Sequence, residues 1–498
     1  MKIKKFLALG LGIIFSNAIA QNTLLERNFW ENKPQLETVK AEIKKGNNPA
    51  EANPANFDAT TLAILQNAPI EVIKYLIDLE GNGITKSTHD SRTYLHWAAF
   101  KGNAELTEWL LKKGASVQHT DSRGNTPLAY ATLGGLKDTK IYDLFLNHGV
   151  NIRQKYKDGA EIFHYAISND DENLAITNYF LSKGVPLEVK DNLGRNIADY
   201  ASKGQNLNLL KKLIEKGIKP SSEALLFAAR GSKKWQEVTP FFNFLINDLK
   251  ISINTTDAEG NNALHHALSG RGINDDMVQF LIEQGTSYEQ ANQEGETPLM
   301  KAIQRNKTNL VQLMLSKGVD KINATNKKGI SALGFGVQYA SPELVETLIK
   351  KGADINTTDQ KGNHLGLYLI ESYNKRDKNA LESIISKIKI LTDKGFDLTK
   401  PQEDGNTLAH LVVQKQEPKL LALMKPYIKD INAKNNEGLT ALHLSAMISK
   451  DLEMIKLLLE NGSDKSLKTS LDETAYDLAI ENEILGKNKS ELRIFKIN

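Results

Sequence analysis

The sequence contains no cysteine among its 498 residues. This absence excludes disulfide bonds and a cysteine nucleophile, and it leaves no attachment site for the lipid of a bacterial lipoprotein. A chain of this length without disulfides must be stabilised by packing alone. It therefore needs a long continuous core.

An excess of charge of either sign is also lacking. The 63 Lys and Arg residues almost balance the 60 Asp and Glu residues, which gives a formal net charge of +3. This balance argues against nucleic acid or an anionic membrane as the main partner. With 40% hydrophobic residues, the composition is that of a soluble folded protein rather than of a disordered chain.

Long apolar runs are absent beyond the N-terminus. There the basic segment MKIKK precedes the apolar segment FLALGLGIIF, and Ala18 and Ala20 occupy the small positions of an A-x-A cleavage site. The apolar run is shorter than the ~20 residues that a membrane span needs. We therefore expect residues 1–20 to be a signal peptide, rather than a buried helix or an anchor. The mature protein is then periplasmic or secreted.

Motifs of known catalytic sites are absent as well. The sequence has no H-E-x-x-H, no G-x-S-x-G and no G-x-x-x-x-G-K-[ST] motif. The glycine-rich segments SGRG at 269–272 and GFG at 334–336 do not follow a predicted strand, so we do not interpret them as phosphate-binding loops. The sequence predicts no catalytic, cofactor-binding or metal-binding residue.

What the sequence does contain is a repeat of about 33 residues. Thr93 and Thr126 are 33 positions apart, and so are Thr407 and Thr440. Two glycine series follow the same period. The first opens each repeat, at Gly124, Gly159, Gly194, Gly260, Gly295, Gly329, Gly362, Gly405 and Gly438. The second closes each repeat, at Gly114, Gly149, Gly184, Gly217, Gly285, Gly318, Gly352, Gly395 and Gly462.

Each repeat has the residue pattern of a turn followed by two helices. Segments such as DSRG and NKKG have the composition of turns, in which glycine supplies a positive φ. A threonine two positions later suits a helix N-cap, and Pro127 and Pro298 then occupy the first helical turn. A second helix follows with apolar residues at i, i+3 and i+4. Neither helix can bury its apolar side alone, so neighbouring repeats must stack.

The repeat resembles the ankyrin repeat, whose helix start reads T-P-L-H-x-A. The matching segments are TPLAYA (126–131), TPLMKA (297–302), NALHHA (262–267), TALHLS (440–445) and TYLHWA (93–98). The resemblance covers residues 57 to 498, or about thirteen repeats. It implies an all-α solenoid of helix-turn-helix repeats with projecting β-turn loops, a concave face, and a role in binding proteins.

The resemblance also assigns a structural role to one histidine in each repeat that has it. In the family this histidine links neighbouring repeats through hydrogen bonds. His266 falls outside that register and is the one histidine that merits separate attention. The positions that build the scaffold are then Thr93, His96, Thr126, His164, His265, Thr297, His410, Thr440 and His443.

Departures from the repeat suggest the domain organisation. Residues 21–56 show no repeat and are expected to cap the solenoid. An N-terminal block of repeats then covers 57–217, and a C-terminal block with its own cap covers 257–498. Between them, 218–256 lacks the opening turn, which suggests a degenerate repeat that acts as a hinge. A further surplus near residues 371–381 reads as a lengthened connection between helices, either functional or merely solvated.

Partner-binding residues follow from the resemblance, because ankyrin repeats bind with turn tips and with the end of the first helix. Trp235 is added because basic residues surround it; it is either an anchor for a partner or a cover for the second helix. The other apolar members either bind a partner or pack on neighbouring first helices. The set is Phe100, Lys101, Ser122, Arg123, Trp235, Gln304, Arg305, Lys327, Lys328, Gln338, Tyr339, Gln414, Lys415, Met447 and Ile448.

The function expected from the sequence is that of a non-catalytic, monomeric scaffold that binds one or more proteins outside the cytoplasm. Two alternatives stay open. The chain is an accessory subunit of an exported enzyme, for example one that protects against oxidants, or it is a secreted effector or immunity protein. An adjacent gene for an exported oxidoreductase or for a toxin would favour one or the other.

Overall fold

The computed structural model describes residues 22–270, 272–488 and 490–495. The expected signal peptide, residues 1–20, lies outside them. The described residues form 27 α-helices and several short 3₁₀ segments. They contain five isolated β-bridges, each between residues six positions apart, and no strand. The all-α fold predicted from the sequence is confirmed.

The chain divides into two compact units, and the first ends at Pro220. From α3 onward its helices follow one another in pairs. The helices are α1 (Arg27–Glu31), α2 (Leu36–Lys44), α3 (Ala59–Leu65), α4 (Ile70–Ile77), α5 (Tyr94–Phe100), α6 (Ala104–Lys112), α7 (Pro127–Leu133), α8 (Thr139–Asn147), α9 (Ile162–Ala166), α10 (Ala175–Ser182), α11 (Ile197–Ala201) and α12 (Leu207–Glu215).

The second unit begins at Ser221 and also consists of helix pairs. Its helices are α13 (Glu223–Ala228), α14 (Trp235–Asn243), α15 (Ala263–Ala267), α16 (Asp275–Glu283), α17 (Pro298–Gln304), α18 (Thr308–Lys317), α19 (Ala332–Tyr339), α20 (Pro342–Lys350), α21 (Leu365–Glu371), α22 (Ala380–Asp393), α23 (Leu408–Lys415), α24 (Pro418–Met424), α25 (Ala441–Ile448), α26 (Glu453–Glu460) and α27 (Ala475–Glu481). The segment predicted as a hinge, 218–256, includes the unit boundary, and its motion stays a prediction.

Local sequence explains where the first helix of each pair begins. Thr126 has extended backbone angles, and its hydroxyl accepts a hydrogen bond from the backbone N–H of Ala129, so it caps α7. Thr297 caps α17 in the same way. The glycine that opens each repeat has φ between +72° and +79°, and at Gly329 an added Cβ would lie 2.5 Å from the backbone nitrogen of Gln360. Only glycine fits this turn.

Stacking of like helices builds the core within each unit. First helices pack on first helices, as α5 does on α7 and α17 does on α19. Second helices likewise pack on second helices, as α6 does on α8 and α20 does on α22. Small buried residues such as Ala98 and Ala131 allow the first helices to approach closely. Because each pair is covered mainly by its neighbours, stability accumulates along the stack.

The turns that open the repeats are joined by backbone hydrogen bonds. The N–H of Ser122 donates to the carbonyl of Asp90 at 2.8 Å, and the N–H of Lys327 donates to that of Glu294 at 2.8 Å. Asn192 makes the corresponding bond to Asp158. Each of these turns therefore rests on the turn before it.

The N-terminal region forms a helical hairpin that covers the first repeat. Trp30 of α1 is fully buried, and its indole N–H donates to the carbonyl of Leu24 at 2.9 Å. Helix α1 packs against α3, and α2 packs against α4. At the other end of the described chain, Leu492 and Phe495 are buried in the 3₁₀ segment Glu491–Phe495, which packs on α27.

The enlarged repeat near residue 371 departs from the expectation. Its surplus is shared between the connection, 372–379, and α22, which has 14 residues where the other second α-helices from α4 to α26 have seven to ten. Among those, α14 continues directly as a π-helix over Phe244–Asp248. Lys387 of α22 is buried, and its Nζ donates to the carbonyl of Val337 at 2.9 Å. That carbonyl lies in the last turn of α19, where helix carbonyls lack intrahelical partners. Burial lowers the pKa of Lys387 to about 8.

Candidate protein-binding site

The histidines of the repeat register lie at the base of the turns. In His96, Nδ1 accepts a hydrogen bond from the N–H of Thr93, so Nε2 carries the proton and donates to the carbonyl of Asn125 in the next repeat at 3.2 Å. His265 and His410 have the same arrangement, each with Nε2 at 2.9 Å from a carbonyl of the following turn, whereas Nε2 of His443 lies 2.9 Å from the carbonyl of Leu467, just before the next turn. These side chains hold successive repeats together.

Burial makes these histidines unsuited to proton transfer near neutral pH. Desolvation lowers the pKa of His96 and that of His265 to about 4. The pKa values of His410 and His443 are lowered for the same reason. His164 differs in one respect, because its buried Nε2 has no hydrogen-bond partner in the described structure and its ring meets the edge of Tyr200 at 5.0 Å.

His266 lies beside this register and supports a turn. Its Nε2 is 2.9 Å from a carboxylate oxygen of Asp257, and its Nδ1 accepts a hydrogen bond from Nε of Arg230 at 3.1 Å. Burial opposes ionisation of Asp257, but the hydrogen bonds from His266 and Asn261 outweigh it and lower the pKa of Asp257 to about 2. Asp257 also accepts from the backbone of Asn261 in its own turn. The cluster therefore stabilises this turn.

The position directly after the histidine register, here called the post-histidine position, carries aromatic residues in the first unit. They are Trp97, Tyr130, Tyr165 and Tyr200. Neighbouring rings in this row lie close together, with 5.7 Å between the centroids of Trp97 and Tyr130 and 6.3 Å between those of Tyr165 and Tyr200. This row is not among the residues predicted from the sequence, although its spacing of 33 to 35 residues is visible there.

Two buried arginines complete the aromatic row. The guanidinium of Arg92 lies 4.1 Å from the centre of the Tyr130 ring and 3.1 Å from the carboxylate of Asp121. Arg195 pairs with Asp191 and reaches Asp158 of the preceding turn at 3.0 Å, and the Tyr200 hydroxyl donates to Asp191 at 2.7 Å. These charges are neutralised within the unit, so they stabilise the scaffold and leave little charge for a ligand.

The second unit instead has an open groove of about 420 Å³ at the ends of α17 and α19. Its base contains Leu268 and Phe335, which are buried. Five of the predicted partner-binding residues line it: Gln304, Arg305, Lys328, Gln338 and Tyr339. Lys301, at the post-histidine position of α17, also lines this groove, which we call the Tyr339 groove.

Side chains around the Tyr339 groove differ in how firmly they are held. Tyr339 is 46% exposed, and its ring is stacked at an angle of 27° to that of Phe335 with 6.4 Å between centroids. Arg305 is exposed and donates one N–H to the carbonyl of Ser269 at 3.0 Å. Nζ of Lys301 is 2.9 Å from the carboxylate of Glu296.

The remaining predicted partner-binding residues lie apart from this groove. Phe100 is half-buried and stacks on Tyr130 at 5.1 Å, in the space that the missing side chain of Gly134 provides. Trp235, the first residue of α14, is half-buried against Phe280 at 4.9 Å. At the ends of first helices or at turn tips lie Lys101, Ser122, Arg123, Lys327, Gln414, Lys415, Met447 and Ile448.

No group of three or more His, Asp or Glu side chains in residues 22–270, 272–488 and 490–495 is arranged to hold a metal ion. Within the same ranges, the helices are all too short or too polar to cross a membrane.

Several known proteins are similar to parts of this chain. The chain is 24% identical over 182 residues to the putative ankyrin repeat protein L371 of Acanthamoeba polyphaga mimivirus. The matched region covers 35% of this chain and 22% of the relative. It is 24% identical over 229 residues to the E3 ubiquitin-protein ligase KEG of Arabidopsis thaliana (45% and 13%). It is 23% identical over 171 residues to the neurogenic locus notch homolog protein 1 of Xenopus laevis (34% and 6%).

The chain thus spans less than a quarter of the length of each of these relatives. A family model described as ankyrin repeats (3 copies) matches far more of the chain, at residues 60–156, 135–224, 271–359 and 373–483. Such repeats are scaffolds for protein–protein interaction and are generally not catalytic. The chain belongs to the ankyrin-repeat family.

Proposed function

We propose that this chain is a non-catalytic scaffold that acts outside the cytoplasm and binds a protein partner through the first-helix face of its second unit. The observation that carries this proposal is the convergence of five predicted binding residues from two successive repeats on the Tyr339 groove. Buried hydrophobic and exposed polar groups occur there side by side, as they do in protein-binding surfaces.

The Tyr339 ring is the anchor that we expect to contribute most to binding. Tyrosine is enriched among the residues that dominate interface energies, because it buries a large ring at a low cost in side-chain entropy. Its exposure of 46% leaves contact area for a partner, whereas Phe100 has much of its ring area covered by Tyr130. The second unit is therefore a better candidate than the first.

A site-specific photocrosslinker tests this surface. It is placed at position 339, and at position 350 as a control, since Lys350 is exposed on the second helix of the same repeat. We expect a discrete crosslinked protein with the probe at 339 and none with the probe at 350. Equal crosslinking at both positions, or crosslinking at 350 alone, would contradict the proposed binding face.

The proposed location rests on the order of basic, apolar and small residues in the first twenty positions. If residues 1–20 are removed on export, the mature chain begins at Gln21. Mass spectrometry of the N-terminal peptide from fractionated cells measures this directly. An extracytoplasmic protein that keeps Met1, or a purely cytoplasmic one, would refute the proposed location.

A further inference from the structure

Resting on the proposed function, we propose a partner chemistry: the Tyr339 groove takes an extended protein segment with an apolar or aromatic side chain flanked by acidic residues. The volume of about 420 Å³ lies within the range of roughly 300–1,000 Å³ that is common for ligand sites, so the open groove has room for a side chain. Ile330, which is half-buried, and the exposed ring of Tyr339 supply apolar contact in the groove, whereas Leu268 and Phe335 are buried. One apolar side chain of the partner would be seated against Ile330 and Tyr339.

Charge around the groove selects acidic neighbours for that side chain. Three cationic side chains line it, those of Lys301, Arg305 and Lys328, against one carboxylate, that of Glu296. Glu296 already pairs with Lys301. Arg305 and Lys328 are exposed, and among the described residues neither has a carboxylate within 4.0 Å. A segment that brings carboxylates to these two side chains would complement the positive charge.

Two glutamines suit the main chain of such a segment. Gln304 and Gln338 line the groove from successive first helices and are half-buried. Each amide offers both a donor and an acceptor, so each can bond a peptide N–H or carbonyl regardless of the partner's side chains. Nucleic acid is a poorer match, because specific binding of a duplex uses many phosphate contacts and the chain carries a net charge of only +3.

Fluorescence anisotropy of the purified chain with synthetic probes tests this inference. The main probe is a labelled nine-residue peptide with one central phenylalanine and four glutamates on each side. Two comparison peptides have serine in place of phenylalanine or lysines in place of the glutamates. A third comparison probe is oligo(dT). We expect binding of the main probe that weakens as salt is raised, and about tenfold weaker binding of the serine peptide.

Charge-reversal variants assign the binding to the groove. Arg305→Glu and Lys328→Glu should each weaken binding of the main probe by about tenfold, whereas Lys350→Glu, on the second helix of the repeat that Lys328 opens, should change it less than about twofold. The inference is overturned if the lysine peptide or oligo(dT) binds as well as the main probe, if neither groove variant weakens binding, or if the main probe does not bind. In each of those cases, crosslinking at position 339 would still support a protein-binding face with a different partner chemistry.

Discussion

Tyr130 and Tyr200 of the first unit and Lys301 of the second occupy the same post-histidine position on the same kind of helix. In the first unit the aromatic row encloses Arg92 and Arg195, and buried aspartates neutralise both charges. In the second unit the cationic side chains of Arg305 and Lys328 stand exposed around an open groove. The post-histidine position thus carries a ring that covers a buried arginine in the first unit and a lysine that lines an open groove in the second.

The largest effect should come from breaking a buried pair in the first unit. Arg195→Ala leaves the buried carboxylate of Asp191 without its cation, so we expect the free energy of unfolding to fall by about 3–5 kcal/mol. Arg305→Ala in the second unit, where the side chain is exposed, should cost less than about 0.5 kcal/mol. Urea denaturation of both variants measures the difference. Similar losses would show that the two arginines are equally structural.

Acid should destabilise both units through protonation of their buried histidines. His96 and His265 have a pKa of about 4 when folded, against 6.5 in the unfolded chain, so the unfolded state binds more protons between these values. Stability is therefore lost as the pH falls from 6.5 to 4, by about 3 kcal/mol for each histidine.

Histidine variants check this pH dependence. His96→Gln and His265→Gln should each give a shallower fall in unfolding free energy between pH 7 and pH 5 than the unmodified chain. Histidines are the shared feature of the two units, so the two variants should behave alike. A slope unchanged in either variant would mean that its histidine is not the titrating group.

Removing the aromatic residue at the end of a first helix should give a smaller difference in stability between the two units. Phe100→Ala loses a half-buried ring that stacks on Tyr130, and we expect it to cost about 1–2 kcal/mol of unfolding free energy. Tyr339→Ala removes a more exposed ring and should cost less than about 0.5 kcal/mol while weakening partner binding. A larger loss of stability for Tyr339→Ala would reverse the assignment of roles.

Among the scaffold residues, the smallest loss of stability concerns the helix caps, which are the same in both units. Thr126→Ala and Thr297→Ala each remove a hydroxyl that accepts a backbone N–H, so each should cost about 1 kcal/mol. Lys212→Ala, at an exposed position of α12, serves as the control and should cost less. Thermal unfolding midpoints compare the three. Equal shifts would mean that the threonines do not cap their helices.

Much of the scaffold was predictable because it depends on local chemistry. The two glycine series and the threonine register fix where turns end and helices begin, and these positions have the expected backbone angles. The burial of Lys387 in α22 was not predictable, since its hydrogen-bond partner, the carbonyl of Val337, is fifty residues away in the sequence. Spacing along the sequence reveals the period, but it does not reveal such distant contacts.

The roles of the surface residues were harder to predict for the same reason. Phe100 and Tyr339 both lie at the ends of first helices and are both aromatic. Phe100 is covered because Gly134 of the next repeat leaves room for its ring, which no property of Phe100 itself discloses. The buried charges of Arg92 and Arg195 were likewise invisible, because a sequence gives the charge of a side chain but not its neighbours.

The hydrogen bonds between successive turns limit which groups of the turn tips a partner can bind. The amide of Ser122 and that of Lys327 already donate to the preceding turn, although their side chains are exposed. A partner strand therefore cannot bind these turns by adding itself to a main-chain edge through those groups. Recognition at the tips has to proceed through side chains, and changes at Ser122, Arg123 or Lys327 can alter specificity while the backbone ladder stays intact.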